Sequence, residues 1–140
     1  MKKQAPKLFI VFVLLAVVLT VQVQAAAANT VFTLLNPPPG GVLELAVGES
    51  YTFDVLVESD MPFLSAMALP DQYYPGRGVF FAGSDIAHNA SSARLYLTVT
   101  GKNSTAGLPG GFAPISVVAA ARYKGGQTDV SQFDFQVFVP

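Results

Sequence analysis

The chain has one histidine, His88, three residues after Asp85 in the stretch DIAHNASS (85–92). Histidine is the natural general base near neutral pH, and with a serine and a carboxylate it could run acyl transfer. That chemistry wants a serine on a sharp strand-to-helix turn, and no G-x-S-x-G pattern occurs. A metal site wants three or four ligands drawn from histidine, cysteine and clustered carboxylates. One histidine, no cysteine, and acids that stand singly (Asp60, Asp71, Asp85, Asp129) do not supply them. His88 therefore reads as a loop histidine; no catalytic residue is assigned, and neither a metal nor another cofactor is expected. GLPGG (107–111) and PGRG (75–78) lack the lysine and the following helix of a phosphate loop and read as turns.

Binding has a better candidate. Tyr73, Tyr74 and Arg77 share the loop DQYYPGRG (71–78). Aromatic rings beside an arginine suit stacking on a sugar or anchoring a protein contact, so these three are the expected binding residues, with a protein or glycan as ligand. Tyr96 and Phe138, on separate strands, are expected to face outward and add an apolar spot. Asn89-Ala90-Ser91 and Asn103-Ser104-Thr105 match the N-glycosylation pattern and otherwise read as polar loops.

Before these groups can be placed, MKKQAPKLFIVFVLLAVVLTVQVQA (1–25) must be set aside. Lys2, Lys3 and Lys7 precede an apolar run from Leu8 to Val21, interrupted at Thr20. Fourteen residues fall short of the roughly 18–20 that a bilayer span needs. Val23 and Ala25 occupy the −3 and −1 positions of a small-residue cleavage site. The pattern predicts a signal-peptide helix over 1–25 and one domain over 26–140, secreted, periplasmic or at the cell surface. Cleavage after Ala26, Ala27 or Ala28 fits nearly as well. Membrane contact is expected only through this segment, if it stays uncleaved.

Beyond residue 25, five cations face nine acids, a net charge of −4. So weakly acidic a domain has no electrostatic footprint for nucleic acid. Without cysteine it must hold together by packing alone.

Period-two alternation supplies that packing. Strands are predicted at 30–35, 42–47, 51–59, 63–69, 78–83, 94–100, 115–124 and 130–139. Tyr51, Phe53, Val55 and Val57 point inward, as do Leu43, Leu45 and Val47, then Leu95, Leu97 and Val99, and finally Phe133, Phe135, Val137 and Val139. Alanine in VVAAAR would suit a helix, but β-branched neighbours and a glycine turn favour strand. Seven or eight short strands between Gly, Pro, Asn and Asp turns predict an all-β sandwich. Loops at 60–62, 70–78, 83–92 and 101–112 would then carry any contact surface.

VLELAVGESYTFDVLVES (42–59) resembles the opening of bacterial immunoglobulin-like modules, with an apolar strand, a Gly-Glu corner and a long alternating strand. ISVVAAARYKGGQTDVSQFDFQVFV (115–139) is similar to the closing hairpin of the putative-Ig and cadherin-like repeats of bacterial surface proteins. RGVFFAGSD and SARLYLTVTG look like their middle. The resemblance implies an immunoglobulin-like β-sandwich working in surface binding or adhesion, without catalysis. It carries over no binding residues. The chain departs from antibody-type domains in having neither tryptophan nor a cysteine pair, and from cadherin junctions in lacking acidic clusters. The competing expectation is a structural subunit that self-associates through its sheet edges.

Overall fold

A computed structural model describes residues 26–70, 79–82 and 85–140. The predicted signal segment, and Tyr73, Tyr74 and Arg77, lie outside the described residues. Those described form an all-β fold of seven strands: β1 (Thr30–Leu34), β2 (Val42–Glu44), β3 (Ser50–Pro70), β4 (Val79–Ala82), β5 (Asp85–Gly101), β6 (Ala113–Arg122) and β7 (Thr128–Phe138). The alanine-rich segment is indeed strand. All seven belong to one curled, mixed sheet in the order β2-β7-β6-β3-β5-β4, with β1 paired to β3. Every pairing is antiparallel except β2 with β7.

Alternation predicts two apolar faces meeting, and the chain achieves this by folding one ribbon in half. β3 and β5 pair twice: residues 50–58 with 92–100, and 63–68 with 85–90. Between the two registers β3 carries a bulge from Glu58 to Phe63, and on β5 Asn89 adopts a φ of 50°. An irregularity in each strand at the same level bends the ribbon sharply. The Tyr96 N–H donates to the Asp85 carboxylate at 2.9 Å, although they lie eleven residues apart on the same strand. A straight strand would separate them by on the order of 35 Å. The first half of the ribbon thus faces the second half and its neighbours β6 and β7. Phe53 stacks on Phe135, ring centres 5.0 Å apart, at that meeting.

Several expectations need correction. The predicted strands 51–59 and 63–69 are one strand, so 60–62 is bent strand rather than loop. Asp60 holds it there: its carboxylate accepts the Asn29 backbone N–H at 2.8 Å and the Asn29 side-chain N–H at 2.9 Å. Residues 85–92, expected as loop, are the first part of β5, because β3 offers them a ladder. Val47 does not continue the buried face of Leu43 and Leu45; it is 63% exposed. There the chain turns at Gly48, whose φ of 87° suits glycine, and its N–H bonds to the Gly101 carbonyl at 2.8 Å. The other predicted inward residues are buried or packed against the core.

Side chains close the ends. Gln127 brackets Ala28, accepting its N–H at 2.9 Å and donating to its carbonyl at 3.0 Å. The Tyr123 hydroxyl donates to Ser59 at 2.7 Å and lies 2.5 Å from the hydroxyl of Thr30, which donates to Asp129. At the opposite end buried Thr105 ties its loop to the Val139 carbonyl through its backbone N–H at 2.9 Å.

Candidate interaction surface

His88 lies on β5, not in a loop, exposed and opposite Ser65. Asp85, which could have oriented it, is instead the acceptor for Tyr96. Among the described residues no group of three or more acids and histidines could hold a metal ion. Both glycosylation-pattern asparagines are exposed, Asn89 at the bend of β5 and Asn103 after it.

Tyr96 faces outward as expected, 46% exposed, with the Arg94 guanidinium 5.9 Å from its ring centre and ion-paired to Asp54. Phe138 also turns away from the core but is half-buried, because Phe112 packs on it at 5.8 Å. Beside this pair runs a shallow groove of about 310 Å³ lined by Leu108, Pro109, Phe112, Pro114 and Gln136. Tyr96 and Phe138 do not form one spot: Tyr96 lies on the first half of the ribbon, Phe138 on β7 beside β2.

Among the described residues an apolar outer surface lies where β5, β3, β6 and β7 run side by side. Ala66, Ala68, Val117, Ala119 and Ala121 point into the core, so the residues between them point out. The register then aligns Ile86, Met67, Ala120 and Val130 in one row across four strands. Ile86 is 48% and Val130 60% exposed. The next row holds Leu69, Val118 and Gln132. Polar rows border this stripe. On one side stand His88, Ser65, Arg122 and Thr128; on the other Ser116 and Asp134. Asp134 accepts hydrogen bonds from Gln132 at 2.7 Å and Ser116 at 2.6 Å, which hold its carboxyl below the usual range and keep it charged.

Sequence reasoning missed this surface. Its signal is apolar residues on both parities of FLSAMAL and ISVVAAAR, where a one-sided strand should alternate with polar ones.

No family model matches the chain, and no curated protein does. Among solved structures it is similar to domains 4 and 5 of the S-layer protein SbsC, at 13% identity and a TM-score of 0.46 over 82% of this chain. It spans about half of that chain, 48%. A second likeness is to the bacterial superantigen toxic shock syndrome toxin-1, at 14% identity and a TM-score of 0.43, covering 80% of this chain and 100% of that one.

Proposed function

We propose that this chain is an exported, non-catalytic immunoglobulin-like β module that works by binding a protein at the cell surface or outside the cell. The carrying observation is the row Ile86, Met67, Ala120 and Val130, which lays apolar side chains across the outer face of four strands. Side chains that a solvated sheet would make polar are apolar there, as on a contact face. Export is supported by the charged-then-apolar segment 1–25, and by the locking of Ala28 and Asn29 into the domain just beyond it. Edge-to-edge assembly has less support, since β2, β4 and β1 are only three, four and five residues long. A photo-reactive residue in place of Val130, in cells that make the protein, is expected to yield covalent adducts with protein. The same residue at Thr52, exposed on the first half of the ribbon, is expected to yield none. Absence of protein adducts at 130, or capture of glycan alone, overturns this reading.

A further inference from the structure

We infer that the occupant of this face is a second copy of the chain, docked face to face with the strands of the two copies antiparallel. This rests on the binding reading above and names its partner. The argument is the order of charge across the stripe. Arg122, exposed, stands on one border with His88 in the same row; Asp134, exposed and held as the anion, stands on the other. Between them lie the two rows containing Met67, Ala120, Val130 and Val118.

A two-fold axis lying in the interface at right angles to the strands sets each copy's Arg122 border over the other's Asp134 border. Apolar rows then meet apolar rows, and the same patch serves both copies. The alternative two-fold axis, along the strands, brings the Arg122 rows of both copies together and sets like charges against each other. Charge thus selects the antiparallel arrangement. Two sheets packed in this way lie about 10 Å apart with their strands nearly aligned.

The apolar stripe is four strands wide and two rows deep, on the order of 250 Å² in each copy from strand spacing and rise. Roughly 500 Å² of stripe buried in total is below what stable complexes bury, so the dimer is weak and reversible. Such a contact operates where the protein is concentrated or tethered, with repeated copies compensating for the small area.

Sedimentation equilibrium of the exported protein, taken from micromolar to millimolar concentration, tests this. The expected result is a monomer–dimer equilibrium. Val130→Glu abolishes it without altering the fold, since the side chain is in solvent in the monomer. Arg122→Glu and Asp134→Arg each weaken it by on the order of tenfold. The double variant R122E/D134R restores it, because each copy then offers the exchanged charges to the other. A monomer at every concentration, or a charge-exchanged variant no tighter than the singles, overturns the inference. The Val130 cross-link separates the two levels of the reading. Adducts of the chain with itself support both, adducts with a different protein alone overturn the homotypic pairing while leaving the binding reading standing, and no protein adduct overturns both.

Discussion

The two halves of the β3–β5 ribbon share a chain and a ladder but are built on opposite plans. In the first half the inner face is large, with Phe53, Val55, Val57, Leu95, Leu97 and Val99 all buried. Apart from Tyr96, its outer face is largely polar and paired: Ser50 bonds Thr100 at 2.6 Å, Thr52 bonds Thr98 at 2.8 Å, and Arg94 pairs with Asp54. The second half reverses this. Beyond Phe63, buried at the bend, its inner face is small, Ala66, Ala68 and Ala87, and its outer face carries Met67 and Ile86. Bulky side chains of one half fill the space that alanines of the other leave open, which is how a folded ribbon reaches native packing density. Only the half whose inner face is small has its larger side chains to spare for the outside. One half is finished toward water and the other is not.

The contrast can be broken from its large side first. Phe53→Ala empties the space against Phe135 and should destabilise the fold by about 3–5 kcal/mol. That is a large part of a small domain's total, and a denaturant titration will read it as a shifted midpoint. Ala66→Leu attacks the small side: the added methylenes have no room opposite the ribbon's first half, and the loss should be about 1–3 kcal/mol by the same titration.

Gly101 tests the end of the fold. A Cβ there would stand 2.7 Å from the Ala46 carbonyl oxygen, so Gly101→Ala must push the Gly48 turn away, at about 1–3 kcal/mol. A lowered melting temperature with an unchanged circular dichroism spectrum is the expected readout.

Acid should act at the bend. Backbone and then side-chain hydrogen bonds from Asn29 hold the Asp60 carboxyl below its ordinary value. Its contribution is therefore complete above the ordinary carboxylate range and lost as pH falls through the lowered value. Asp60→Asn should lower the neutral plateau of a stability–pH curve and flatten its acid limb, with little change at pH values where the wild type has already lost this contribution. The smallest effect on folding belongs to the outer face: Ile86→Thr should shift stability by no more than about 0.5 kcal/mol while weakening association.

The first half of the ribbon was legible in the sequence because its alternation is clean. Tyr51 to Val57 and Leu95 to Val99 needed only a period of two to be assigned inward. The second half was not, since FLSAMAL is apolar on both parities and gives no sign of which side faces the core. The fusion at 60–62 was hidden as well: the segment reads as a loop, and what keeps Asp60 in the strand is Asn29, thirty-one residues away along the chain. Ile86 and His88 were placed in a loop for the same reason, as the ladder that makes them strand comes from β3. Local pattern therefore located the core and missed the contact face, which exists only once register aligns four strands. The residues first singled out for binding, Tyr73, Tyr74 and Arg77, lie outside the described residues.

The two methionines of the domain report directly on the claim that the second half of the ribbon is a contact face. Met61 sits exposed at the bend, and Met67 lies within the apolar row. Brief oxidation of the concentrated protein, followed by mass spectrometry, should find Met67 oxidised markedly more slowly in the wild type than in Val130→Glu, with Met61 reacting equally in both. Equal Met67 rates in the two proteins would contradict the account.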